Sequence, residues 1–168
     1  MEDVDRGAKV GLRWAKGPFE LANEIGVDEA SRMAINYSEL AGIELPEWFS
    51  TKTEEFEFSY VDLSVEGEIA TVRLNRPEAM NALNVDLVSQ LGEVMEEIDS
   101  IQDISTVVFE GAGKAFVAGA DVKFFVDKIR ADSFPDIYDF TAHGHTVQDK
   151  LESSSKTTIA LTLSLIHI

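Results

Sequence analysis

Apolar and polar positions follow one another along this chain in two different rhythms. Up to about residue 45 the rhythm is helical. Val4, Ala8 and Gly11 with Leu12 recur at helical spacing, and then Gly17-Pro18 interrupts. Pro18 suits the first turn of a second helix, which runs through Ala22 and Ile25 and ends at Gly26. Asp28 is the expected N-cap of a third helix, whose apolar face is Ala30, Met33, Ala34, Tyr37, Leu40 and Ala41, and Gly42 closes it. So few helices cannot bury all their apolar faces, so residues 1–45 are expected to pack on something further. Residues 46–56, PEWFSTKTEEF, carry no apolar period and read as a linker. Trp14, Trp48 and Phe49 read as packing residues, the last two able to dock the linker on the helices.

From residue 57 the rhythm changes. Val61, Leu63 and Val65 alternate with polar residues, Glu66-Gly67 offers a turn, and Ile69 to Leu74 forms the return strand of a hairpin. Asn84 is placed to cap a long helix with the face Leu87, Val88, Leu91, Val94, Ile98 and Ile101. Thr106 to Phe109 is a short β-branched run that reads as a buried parallel strand. A loop of small residues follows, and then a helix using Val122, Phe125, Val126 and Ile129. Pro135 opens a further helix reaching about Leu151. SSSK at 153–156 breaks it before a final apolar run that reads as a strand. The order is strand, strand, helix, strand, so the class is α/β.

Composition narrows the partners. The chain holds 31 acidic against 14 basic residues, a formal charge of -17, and that balance repels nucleic acid and anionic membranes. An anionic ligand remains open to it, because backbone N–H groups and a local lysine suffice to hold one. With no cysteine there is no disulfide, thiolate nucleophile or Cys-based zinc site. The N-terminus lacks the apolar core of a signal peptide. The last twelve residues, TTIALTLSLIHI, fall short of the ~20 that a membrane helix needs. The cytoplasm is therefore the expected compartment. His143 and His145 are two apart and do not share a helix face as metal ligands would, so no metal site is expected.

Candidate chemistry sits in two loops, LNRPEAMNAL (74–83) and GKAFVAGADVK (113–123). Each follows an expected strand and precedes a helix, the place where open α/β sheets bind ligands. Ala115, Ala118, Gly119 and Ala120 are small enough for a ligand to lie against the main chain. Their N–H groups, near the helix start at Val122, suit an oxygen on which negative charge develops. A tight strand-to-helix connection accounts for the same composition, and spacing alone favours that plainer reading.

The stretch from Val61 to about Ala160 resembles the first part of the crotonase superfamily, the enoyl-CoA hydratases and isomerases. LNRPEAMNAL is similar to the family's Asn-Arg-Pro, Asn-Ala-Leu segment, and KAFVAGADVK to its Phe-x-Ala-Gly-Ala-Asp segment. The resemblance implies an incomplete crotonase-like ββα spiral over residues 57–168, preceded by the small helical segment. It implies that the N–H of Ala120 is the first of two oxyanion donors to a thioester carbonyl. Main-chain groups around Ala79, Met80, Ala118 and Gly119 would meet the adenine and pantetheine of coenzyme A, and Lys123 a CoA phosphate. Asp121 would cap a helix. The implied partner is an acyl-CoA thioester, with coenzyme A as part of the substrate rather than a cofactor, and the parent enzyme is expected to be a homo-oligomer. After Ala160 the family continues into an Asn-Gly and a glycine-rich loop that brings the second donor, with the acid/base glutamates on and beyond it. LTLSLIHI resembles none of this, so the catalytic glutamates are expected to be absent and the chain to be an internal piece of a longer enzyme. Residues 2–30 resemble the helical C-terminal domain of 3-hydroxyacyl-CoA dehydrogenases, whose signature includes Gly-Pro-Phe-Glu-Leu. No G-x-G-x-x-G occurs, so no NAD site is expected.

Overall fold

The computed structural model describes residues 1–162 and divides into two compact units, one spanning Met1–Phe58 and one beginning at Ser59. The first holds α1 (Glu2–Gly11), α2 (Pro18–Ile25), α3 (Val27–Ala41) and a 3-10 turn at Glu47–Ser50. The Gly-Pro-Phe-Glu motif owes its local structure to α1. Asp5 is buried and accepts from the N–H groups of Phe19 at 2.9 Å and Glu20 at 2.8 Å. It thereby supplies to α2 the cap that Gly17, at the N-cap, has no side chain to give. Glu20 turns back to accept from the N–H of Gly17 at 2.8 Å and pairs with Lys9 at 2.7 Å. A Cβ at Gly17 would fall 2.1 Å from Asp5 Cγ, so only glycine fits.

Two expectations change here. α3 begins two residues early, with Gly26 rather than Asp28 at its N-cap and no side-chain cap. Asp28 lies inside the first turn, where its charge complements the helix dipole instead. Residues 46–56 lie against the helices. The Asn23 side chain exchanges two hydrogen bonds with the main chain of Phe56, at 2.7 and 2.8 Å. Phe19 stacks edge-on with Phe56 at 4.7 Å and tilted to Trp48 at 6.0 Å. On α3, Met33, Tyr37 and Leu40 remain exposed, Leu40 at 89%.

The second unit is built on one sheet in the order β1-β2-β3-β4, from β1 (Val61–Glu66), β2 (Ile69–Leu74), β3 (Thr106–Gly111) and β4 (Thr157–Ala160). The hairpin β1–β2 closes with Glu66 opposite Ile69, which puts its turn at Gly67-Glu68, one residue later than expected. β2, β3 and β4 run parallel. Parallel neighbours require crossovers, made here by α4 (Val85–Ser100) and then by α5 (Val122–Arg130) with α6 (Phe134–Ser153). Asn84 caps α4 as expected, its side chain accepting from Leu87 N–H at 3.0 Å. Val72 and Val107 of the sheet bury against Leu87, Met95 and Ile98 of α4, and these form the core. Together they give the mixed α/β architecture expected.

The edges differ from the pattern. Of the face expected on α5, only Phe125 turns inward; with Phe124 it meets Phe140 of α6. Val122 is 72% exposed, and Val126 and Ile129 are exposed as well. All four residues of β4 are exposed. The strand expected in the final run is realised at Thr157–Ala160, and residues 163–168 lie outside the described residues. No helix among the described residues is long and apolar enough to cross a membrane.

Candidate functional site

The carboxyl ends of β2 and β3 lie side by side because the strands are parallel and in register, Leu74 opposite Gly111. Each end runs into one of the two loops singled out above. Gly111 lets the second loop fold back over its own strand; a Cβ there would sit 2.3 Å from the carbonyl oxygen of Ala115. The first loop passes through a 3-10 turn at Pro77–Ala79, after which Met80 and Asn81 both take left-handed backbone, φ 52° and 55°. That conformation disfavours most side chains, and Asn is among the few tolerating it.

Asn81 is fully buried and joins the loops. Its Oδ1 accepts from Arg76 N–H at 2.8 Å, and its Nδ2 donates to the carbonyls of Ala112 at 2.9 Å and Ala115 at 2.8 Å. A second set of bonds stitches the loops further along. Ala118 N–H donates to Met80 O at 3.1 Å, and Leu83 and Ala120 form a parallel bridge. In that bridge Leu83 N–H donates to Gly119 O and Asp121 N–H to Leu83 O, each at 2.9 Å. Such a pattern aims the N–H and C=O of Ala120 itself away from Leu83. The N–H of Ala120 finds no acceptor among the described residues. It stands one residue before Asp121, whose side chain caps α5 by accepting from Lys123 N–H at 3.0 Å. Arg76 reaches across from the first loop, its Nη2 2.8 Å from Asp121 Oδ2 and its Nη1 donating to Ala82 O at 3.0 Å.

Ala120 lines a cavity of about 650 Å³. Its walls are Leu83, Phe109, Phe116 and Val117 on one side, Phe125 with Phe140 and Leu151 on another, and Thr158 to Ala160 of β4. A few polar side chains, among them Thr141, His145 and Gln148 on α6, also line it. A residue that lines an apolar cavity just before a helix N-terminus, with an N–H lacking an acceptor among the described residues, favours a ligand that offers an apolar chain and an oxygen able to take negative charge.

The structure brings Ala79, Met80, Ala118, Gly119 and Ala120 together and sets Lys123 nearby, exposed in the first turn of α5. The available groups are narrower than expected. The N–H groups of Ala79, Met80 and Ala118 are already bonded, to Arg76 O, Pro77 O and Met80 O. Those of Gly119 and Ala120 have no acceptor among the described residues. Sequence reasoning assigned no part to Asn81 or Arg76. The adjacent left-handed positions would have flagged Asn81, since Asn tolerates them, but its two distant carbonyl partners have no local signature. His143 meets Ser89 of α4 at 3.3 Å while His145 lines the cavity, and no metal-ligating cluster occurs among the described residues.

Sheet, crossovers and paired loops define a mixed α/β domain of the crotonase kind. The enoyl-CoA hydratase/isomerase family model matches residues 69–163, and the chain belongs to that family. Among similar curated proteins, the short-chain-enoyl-CoA hydratase of Clostridium acetobutylicum is 45% identical over 67 residues, which are 39% of this chain and 26% of that protein. A probable enoyl-CoA hydratase of Rhizobium meliloti is 41% identical over 81 residues, 44% of this chain and 32% of that one. A solved enoyl-CoA hydratase/carnithine racemase from Magnetospirillum magneticum superposes with a TM-score of 0.56 at 35% identity, covering 62% of this chain and 39% of its own. The match thus spans about a quarter to a third of the length of these curated relatives.

Proposed function

We propose that the second unit binds an acyl-CoA thioester and that, in the intact parent enzyme, it takes part in hydrating trans-2-enoyl-CoA in fatty-acid β-oxidation. The observation carrying this reading is that Ala120 lines an apolar cavity and that its N–H has no acceptor among the described residues. The N–H would donate to the thioester oxygen as negative charge develops on it, with the acyl chain in the cavity. Gly119 would offer a second N–H to the pantetheine or adenine arm, beside Met80 and Ala118, and Lys123 would approach a phosphate. In this reading residues 2–30 would belong to the helical part of a dehydrogenase fused ahead of the hydratase, in a parent proposed to be cytoplasmic and homo-oligomeric. Isomerisation and thioester hydrolysis use the same kind of oxyanion site, and the carboxylates that distinguish them have no counterpart in LTLSLIHI.

Calorimetry tests the site. Ala118 is exposed, so Ala118→Trp should block CoA thioester binding while leaving the unfolding midpoint unchanged; unchanged affinity would return the loop to a purely structural role. Turnover by the 168 residues alone is expected to be negligible, since one missing oxyanion donor costs ~10²–10³ in rate and missing acid/base groups roughly 10²–10⁴. A rate within about tenfold of a typical ~10 per second would contradict this. The exposed Met33, Tyr37 and Leu40 of α3 favour a second reading, a protein-interaction module. Such a module would bind a protein and ignore CoA thioesters.

A further inference from the structure

Asp121 presents a difficulty for the site just described. A carboxylate lies one residue from the N–H that would receive a developing oxyanion, and like charges at such range oppose each other in a partly dry site. Its partner is on the other loop. Arg76 and Asp121 are only 18% and 19% exposed at their side chains and meet at 2.8 Å. The other arm of the guanidinium holds Ala82 O at 3.0 Å, and the next residue, Leu83, is bridged to Ala120. One side chain therefore ties the first loop to the residue that follows Ala120, through a planar fork that lysine does not reproduce. The other oxygen of Asp121 caps α5.

We propose that the Arg76–Asp121 ion pair is the positioning device of the thioester site, fixing the direction of the Ala120 N–H and neutralising the carboxylate beside it. This rests on the reading of Ala120 as the oxyanion donor. Arg76 touches no reacting atom; it acts through Asp121 and the Leu83 bridge. The two parts of the role separate by substitution. Arg76→Met breaks the tie and leaves a bare carboxylate. Asp121→Asn weakens the tie but keeps an oxygen for the α5 cap and removes the charge. The double variant lacks both charges.

The test is the carbonyl stretching frequency of a ¹³C-labelled enoyl-CoA thioester bound to the 168-residue chain, with affinity for free CoA and the unfolding midpoint measured alongside. In the wild type the band should move to lower frequency on binding, as hydrogen bonding polarises the carbonyl. Arg76→Met should lose most of that shift and Asp121→Asn only part of it, and the double variant should fall between the two, regaining what the bare carboxylate cost but not what the broken tie costs. CoA affinity should stay within about threefold throughout, because a role in holding the fold alone would move affinity and midpoint together. No shift in the wild type would overturn the Ala120 reading and this proposal with it. A wild-type shift that persists in folded Arg76→Met overturns the positioning role alone. If Arg76→Met fails to fold, Asp121→Asn decides: a full wild-type shift, or failure to fold as well, makes the pair a fold element and overturns the proposal.

Discussion

Asn81 shows how much of this site depends on a single amide. It carries three hydrogen bonds, all inside the protein, and it does so at φ 55°. Asn81→Ala leaves one N–H and two carbonyls short of partners in a buried place, at ~1–3 kcal/mol for an unsatisfied buried group, and adds ~1 kcal/mol for alanine in left-handed backbone. The expected loss in urea unfolding is ~2–4 kcal/mol; a loss under ~0.5 kcal/mol would show that the loops do not depend on this clamp. Asn81→Asp should be no better, since a carboxylate would face the Ala112 and Ala115 carbonyls in place of a donor. Gly17 plays a comparable part in the helical unit. Gly17→Ala should uncouple α1 from α2, because its Cβ has no room beside Asp5. Hydrogen exchange at the Phe19 and Glu20 amides, which Asp5 accepts, reports it directly: faster exchange is expected, and unchanged protection would refute the contact.

At the level of elements, α6 is fastened to α4 at its middle and in its last turn. His143 meets Ser89, and Lys150 forms a short ion pair with Glu96. The Lys150 hydrogen bond and charge hold the Glu96 carboxyl below the ordinary carboxylate range. A depressed folded pKa means that the pair's contribution is present above the unfolded value and disappears as pH falls through the folded one. Glu96→Gln should therefore lower the unfolding midpoint slightly near neutral pH and at low salt, and match the wild type in strong acid. The pair is exposed, so added salt should shrink the difference; a difference that grows in acid would contradict the assignment. Elements of this kind were legible in the sequence wherever the signal was local. Asn84 capped the helix it precedes, and the alternation of Val61 to Leu74 gave the hairpin. Periodicity failed for α5, because Val122, Val126 and Ile129 share a helical face that stays exposed, while Phe124 and Phe125 are the residues that reach α6. The cap of α3 was misplaced by two residues because Gly26 already turns the chain. At the site, the small residues of the second loop marked where a ligand fits. The clamps that aim Ala120 join residues about 30 to 45 positions apart and leave no periodic trace.

For the whole molecule, the exposed edge of the sheet is expected to govern behaviour in solution. β4 is last in the strand order, uncharged and exposed along its length, a template for pairing with another chain. The net charge of -17 opposes close approach at low salt, and at 0.15 M screening shortens its reach to ~8 Å. Light scattering should therefore show self-association that rises with salt and falls when residues 157–168 are deleted; a sharp monomer in both conditions would contradict this. The part assigned to Ala120 is read from its own amide resonance in ¹⁵N-labelled protein titrated with an acyl-CoA thioester. The Ala120 signal should move downfield as its N–H gains the thioester oxygen, and free CoA, which has no such carbonyl, should leave it in place while shifting Gly119. An Ala120 signal that stays fixed while thioester binding shifts other residues of the chain would contradict it.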